Sequence, residues 1–259
     1  MSNIVIECKN LGIDFGGLTA VDNFNKSIKS SQISGLIGPN GAGKTTIFNL
    51  LTKVYKPTRG SILFNGNDTK NMSITSINKA GVARTFQNIR LFNKMTVLEN
   101  VLVGLHNRTN CNLVSSILRL PTYFRSEKKA KEIALNLLEI FDMKDIYKEN
   151  AGNLSYGTQR KLEITRALAT SPKILLLDEP AAGMNPKETE DLMETIKKIQ
   201  NDFKIAILLI EHDMKLVMGI CSEITVLNYG KIIANGLPIE IQNNQKVIEA
   251  YLGKGEEIA

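Results

Sequence analysis

The sequence predicts an α/β fold: a parallel-sheet core, an antiparallel β portion near the start and a helical insertion in the middle. Three observations carry this. Short apolar runs at Ile174–Leu177, Ile205–Ile210 and Ile224–Leu227 alternate with helical stretches, as strands covered on both faces of a parallel sheet do. A glycine-rich stretch, Gly38–Thr45, separates one apolar run from a helical one. The composition, 43% hydrophobic and 22% charged over 259 residues, excludes a mostly disordered chain; at roughly 150 residues per domain, the length allows one or two domains.

In chain order, Ile4–Glu7, Asn25–Ile28 and Ile33–Ile37 read as strands, and Thr45–Leu51 as the helix after the glycine stretch. Ser61–Phe64, the turn Asn65-Gly66 and Asn67 read as a hairpin. Thr96 with Glu99 forms a capping-box pattern that opens the helix VLENVLVGL. Ser126–Phe141 sets Ile133, Leu137, Leu138 and Phe141 at helical spacing, and another helix spans Gly157–Thr170. Lys173–Asp178 is a buried strand. Asn185, Pro186 and Glu188 mark a helix start with Asn as cap. Ile205–Ile210, Asp213–Ile220 and Ile224–Leu227 follow as strand, helix and strand. No internal repeat is present. The chain reads as one domain: a core over about 1–94 and 171–235, a helical subdomain over about 95–170 and a tail over about 236–259.

Lys and Arg number 32 against 26 Asp and Glu, a net charge of +6. That excess suits an anionic ligand and is too mild to demand nucleic acid. The apolar runs fall far short of the ~20 residues that span a bilayer, and MSNIVIECKN carries no secretory signal. Cys8, Cys111 and Cys221 lack metal-site spacing and read as three separate thiols in a reducing compartment.

The chemistry begins at Gly38-Pro39-Asn40-Gly41-Ala42-Gly43-Lys44-Thr45, which fits the phosphate-binding loop pattern between a strand and a helix. Glycines at 38, 41 and 43 let backbone N–H groups curl around phosphate oxygens, and the helix that follows, with Thr46 in its first turn, presents its positive end. Lys44 supplies a cation for the β- and γ-phosphates, and the Thr45 hydroxyl a ligand for Mg²⁺. Farther along, an apolar strand ends in Asp178-Glu179. Beside a phosphate loop, Asp178 holds Mg²⁺ and Glu179 orients or deprotonates the attacking water. The core is thus that of a phosphate-loop NTPase.

Leu154-Ser-Tyr-Gly-Thr-Gln159 decides the subclass. Here the chain resembles the ATP-binding cassette family, whose signature is close to LSGGQ, and its other motifs stand in family order. The resemblance implies a RecA-like ATPase core. It also implies that Gln87, in ARTFQ, touches Mg²⁺ and the transmembrane partner, that His212, in IEHD, reads the γ-phosphate, and that Phe15 stacks on adenine. Taken alone, His212 reads as a satisfied histidine at a strand end, Phe15 as core filling and His106 as a surface residue. Ser155 and the Gly157 N–H lie where a helix begins and can grip a phosphate. In the family, that signature closes on the nucleotide held by a second ATPase subunit, so ATP joins two subunits head to tail and hydrolysis releases them. Two residues depart from the pattern. Tyr156 replaces a signature glycine, where left-handed backbone would be strained, and Asn185 stands where the family commonly has aspartate.

FGGLTAV, ARTFQNIRLF, MTVLENV, EPAAGMNPKET and VIEAYLG are similar to the ATPase subunits of branched-chain amino acid importers. That group implies transmembrane permease subunits, a second ATPase subunit, an extracytoplasmic substrate-binding protein and a place at the cytoplasmic face of the membrane. The ATPases of lipopolysaccharide export share the ANG turn and YLG end. Residues 111–125, CNLVSSILRLPTYFR, match an insertion in the importer group more readily; they read either as a membrane-docking segment or as a solvent-facing helix. A soluble cassette protein acting on ribosomes or DNA would carry two cassettes or a long coiled coil, and this chain has a single phosphate loop and no heptad run. A phosphate-loop kinase would need neither Leu154–Gln159 nor His212.

Overall fold

A computed structural model describes residues 4–106 and 121–252 of the chain. The chain divides into two compact units. One takes in the polypeptide up to Arg84 and again from Lys173; the other is Thr85–Pro172.

The first unit holds two sheets. Strands β1 (Ile4–Phe15), β2 (Leu18–Lys29), β4 (Arg59–Phe64) and β5 (Asn67–Asp68) form an antiparallel sheet in the order β2-β1-β4-β5. Strand β3 (Ile33–Ile37) joins β6 (Val82–Arg84), β7 (Ile174–Asp178), β8 (Ala206–Ile210), β9 (Glu223–Asn228) and β10 (Lys231–Gly236) in a second sheet, ordered β10-β9-β3-β8-β7-β6. All its pairings are parallel except the β9–β10 hairpin at its edge. Strands β3, β7 and β8 are buried at every residue, which is why they appear in the sequence as unbroken apolar runs. Helix α1 (Lys44–Leu51) buries Ile47, Phe48, Leu50 and Leu51 in the core with residues of both sheets, among them Ile6, Phe24, Leu36 and Ile210.

Strand β1 is three times the predicted length. Its alternation breaks where the register with β2 shifts between Cys8 and Leu11, and Asn10 takes φ 48°. Such a bulge resets which face each side chain points to, so the pattern read from Ile4–Glu7 does not continue visibly. The β4–β5 hairpin turns on Asn65-Gly66 as expected, both at positive φ. Helix α2 (Ile74–Ala80) precedes β6. Helix α6 (Pro186–Phe203; α3 to α5 belong to the second unit) has the expected capping box, with Asn185 Oδ1 accepting from the Glu188 N–H and Glu188 Oε2 from the Asn185 N–H, both at 3.0 Å. Leu192, Ile196 and Ile199 form its buried stripe. Helix α7 (Met214–Ile220) is capped by Asp213, and α8 (Pro238–Gln242) and α9 (Gln245–Leu252) end the described chain. Cys8 and Cys221 are buried free thiols, whose pKa values burial pushes up to about 12; Cys111 lies outside the described residues.

The second unit is helical: α3 (Val97–Leu105), α4 (Pro121–Ile140) and α5 (Tyr156–Ala169). The Thr96/Glu99 capping box that opens α3 is formed. On α4 the buried positions are Ala134, Leu137 and Leu138, followed by Phe141, while Ile133 is more than a third exposed. Ile133 thus lies off the face that the sequence assigned to it, and Ala134 takes its place. Residues 111–120 of the anticipated insertion lie outside the described residues; Pro121 onward is helix. His106 is exposed.

Helices α3 and α5 approach closely at Gly104, where a Cβ would collide with the Arg166 carbonyl oxygen and lie 2.9 Å from Ala169 Cβ. Gly104→Ala is therefore expected to destabilise the protein by about 1–3 kcal/mol. Thermal unfolding should show a lowered midpoint.

Candidate functional site

Strand β3 ends at Ile37, and the backbone turns sharply at Gly38, φ 150°. A side chain there would drive into the Leu227 carbonyl on β9. Burial pushes the phenol of Tyr251, on α9, above its usual range, and the nearby Gly38 backbone opposes the shift. The loop then runs to Gly43 and enters α1 at Lys44, which is buried. Lys44 Nζ donates to the carbonyls of Gly38, at 2.7 Å, and Pro39, at 3.0 Å. Burial lowers its pKa, against the pull of the Glu179 and Asp178 carboxylates, which raises it. Thr45 is exposed at the helix start.

Asp178 closes β7 and is buried. Arg84 Nη2 donates to its Oδ2 at 2.6 Å, and Arg84 Nη1 donates to Asn49 Oδ1 on α1 at 2.7 Å. Glu179 follows with φ 46°, a backbone region that costs a non-glycine residue energy. Its Oε1 lies 3.0 Å from His212 Nε2. Next to His212, the buried Glu211 carboxylate accepts the N–H groups of Ala181 at 2.7 Å, His212 at 2.9 Å and Asp213 at 3.3 Å. Burial pushes the Glu211 carboxyl above its usual range, and these three donors oppose the shift. Glu211 thus ties the segment after Glu179 to the segment bearing His212.

A cavity of about 540 Å³ lies against the loop. It is lined by Asn40 to Thr46, by Glu179 and His212, and by Leu18, Thr19, Ala20 and Tyr229. Most of the residues singled out in the first unit therefore share one space. Gly38, Pro39 and Asp178 do not line it. Phe15 is not among its lining residues; its ring packs edge-on against Tyr55, at 5.2 Å between centroids, and is 43% exposed.

In the second unit, Ser155 caps α5, with Oγ accepting from the Thr158 N–H at 3.4 Å and lying 2.9 Å from Thr158 Oγ1. Gly157 stands in the first turn. Tyr156 is helical, outside the left-handed region, so the replacement of a signature glycine causes no strain here. The Gln87 side chain is exposed. Its carbonyl accepts Arg160 Nη2 at 2.6 Å, and the Phe86 carbonyl accepts Nη1 at 2.7 Å. Arg160 is fully buried and pairs at 2.7 Å with Glu163, which in turn accepts the Arg90 N–H. One guanidinium thereby fastens the Gln87 segment to the helix that Ser155 caps.

Arg84, Arg160 and Glu211 were missed from the sequence as site-building residues. Each is a charged residue inside or next to a recognised motif, and that was the available signal. Their partners are chosen by strand register and helix packing.

Residues 21–182 match the family described as ABC transporter. The chain belongs to that family. Residues 231–257 also match the family described as branched-chain amino acid ATP-binding cassette transporter. The chain is 47% identical to the high-affinity branched-chain amino acid transport ATP-binding protein BraF of Pseudomonas aeruginosa, over 98% of this chain and 100% of that protein. It is 48% identical to LivG of Escherichia coli, which bears the same description, with the same coverage. Among solved structures, a nucleotide-free ATP-binding cassette from an ABC transporter superposes with a TM-score of 0.84 at 31% identity, over 97% of this chain and 100% of that one. A cassette in its ADP conformation gives 0.85 at 30% identity, over 97% of this chain and 99% of that one. The protein is an ABC-type ATPase of the α/β class.

Replacing Arg160 by Met would take the guanidinium from the buried Glu163 carboxylate, leaving it the Arg90 N–H, and strip the Phe86 and Gln87 carbonyls of their donor. We expect a loss of about 3–5 kcal/mol in chemical denaturation, partly restored by a second change, Glu163→Met.

Proposed function

We propose that this cassette hydrolyses Mg-ATP to drive the uptake of branched-chain amino acids through a membrane complex. The observation that carries the reading is the shared cavity, in which the loop with Lys44 and Thr45 lies within one space with the hydrogen-bonded Glu179–His212 pair. The relatives named above and the match at residues 231–257 support the amino acid class.

In this reading the loop Gly38–Thr46 cradles the phosphates through backbone N–H groups, of which Pro39 has none, and Lys44 exchanges its two loop carbonyls for phosphate oxygens. The fit is supported by Gly41 and Gly43, whose positive φ glycine adopts readily, and by a cation already partly desolvated there. Among the described residues, no group of three His, Cys, Asp or Glu side chains is arranged to hold a metal. A Mg²⁺ held largely by nucleotide phosphates needs fewer protein ligands, and Thr45, Asp178 and Gln87 would supply them. The bound ion would neutralise charge on the phosphates. Glu179 positions and deprotonates water, His212 holds Glu179 and reads the terminal phosphate, and Phe15 takes the base.

Ser155 and Gly157 would grip the nucleotide of a second ATPase subunit, making a head-to-tail pair closed by ATP. Transmembrane permease subunits and an extracytoplasmic binding protein complete the complex. No described helix is long and apolar enough to cross a membrane, and we place the cassette peripherally at the cytoplasmic face. We take the chain as a single nucleotide-binding domain with a helical portion.

Two substitutions test the site. Lys44→Ala is expected to abolish Mg-ATP binding in calorimetric titration, and unchanged affinity would refute the loop assignment. Glu179→Gln should retain ATP while hydrolysis falls about 10²–10⁴-fold. Vesicles containing the permease subunits, this cassette and its partner ATPase, with the binding protein outside and ATP inside, should accumulate leucine, isoleucine or valine, and should fail to do so with the Glu179→Gln protein.

A further inference from the structure

The turn between β9 and β10 is a two-residue hairpin, Asn228 pairing with Lys231, with Tyr229 at φ 45° and Gly230 at φ 76°. Both central positions of such a turn need positive φ, which asparagine followed by glycine meets at little cost. Tyrosine is a poor choice for the first of them. Nor does packing compensate: Tyr229 is 86% exposed, the highest value among the large hydrophobics of the described residues.

The turn is nevertheless held tightly. The Gly230 N–H donates to the Ala42 carbonyl in the phosphate loop at 3.0 Å, and the Gly230 carbonyl accepts the Asp22 N–H at 2.9 Å. A Cβ on Gly230 would lie 2.6 Å from the Ala20 carbonyl oxygen. The backbone of Tyr229 is thus held beside the loop, and the residue lines the same cavity as Leu18, Thr19 and Ala20. Among the described residues it is the one aromatic lining that cavity; Phe15, to which the reading above gives the base, lies outside the lining.

We propose that Tyr229 is a specificity-determining residue that packs on the nucleoside part of the bound nucleotide, as a second aromatic contact besides Phe15. The proposal rests on the nucleotide reading above and extends it. An aromatic face offers nothing to a phosphate chain, which the loop N–H groups and Lys44 serve, whereas it packs well on a purine or a sugar. Leu18 and Ala20 add apolar surface to the same cavity. A strained, solvent-exposed aromatic is what an unfilled subsite leaves behind.

The test compares Mg-ATP with Mg-tripolyphosphate, which lacks the nucleoside, by titration calorimetry on the full chain. Tyr229→Ala should weaken ATP binding about tenfold and leave tripolyphosphate unchanged, and Tyr229→Phe should keep both. Tyr229→Asn should weaken ATP similarly while raising the unfolding temperature of the nucleotide-free protein. Equal losses for both ligands would overturn the proposal, because the turn would then merely support the loop. So would unchanged ATP affinity, including the case in which only ATP-driven pairing of Glu179→Gln subunits suffers, since the ring would then face a second copy. Failure of the wild-type protein to bind either ligand would instead defeat the nucleotide reading itself.

Discussion

The segment Gly38–Gly43 has few side chains with which to hold its own shape, so its fixation falls to neighbouring main chain. Gly38 lies against the Leu227 carbonyl, and the Ala42 carbonyl takes the Gly230 N–H. A loop that must offer N–H groups to an anion can spend few of them on itself; here the Ala42 N–H turns inward, to the Pro39 carbonyl at 3.2 Å. Its carbonyls and its close approaches therefore carry the tethers. Strand β9, the β9–β10 turn and β2 are arranged to supply them, and Lys44 adds two bonds to carbonyls on the loop's other side.

Buried charge does the second part of the positioning. Arg84 holds Asp178, Arg160 holds the backbone at Phe86 and Gln87, and Glu211 gathers three N–H groups beside Ala181 and His212. Each costs desolvation, so none is explained by stability alone. What they provide is a fixed direction: a guanidinium or carboxylate with several short bonds gives its neighbours little freedom to turn. Glu179 and Tyr229, both at positive φ, show the complementary feature, in which local backbone preference is overruled beside the cavity. Departures of this kind concentrate where a protein does its work.

Much of this was legible beforehand because it is local. A capping box spans four residues, so Thr96/Glu99 and Asn185/Glu188 were readable as helix starts. Strands buried on both faces reveal themselves as apolar runs, so β3, β7 and β8 were placed within a residue or so. The phosphate loop and the signature were readable because their glycines and hydroxyls serve backbone geometry at fixed spacing. Where a bulge reset the alternation of β1, or a 20-residue helix turned Ile133 partly toward solvent, the same local logic failed.

The sequence by itself thus determined the fold class, the order of elements and the identity of the candidate phosphate and water-handling residues. Tertiary structure alone decided which of them meet. Arg84 reaches Asp178 because β6 pairs with β7, and His212 reaches Glu179 because β7 pairs with β8. Tyr229 stands beside the phosphate loop because β9 pairs with β3 and turns back at its end. Register between strands far apart in the chain depends on the summed packing of the whole core, and no short window of sequence contains that sum.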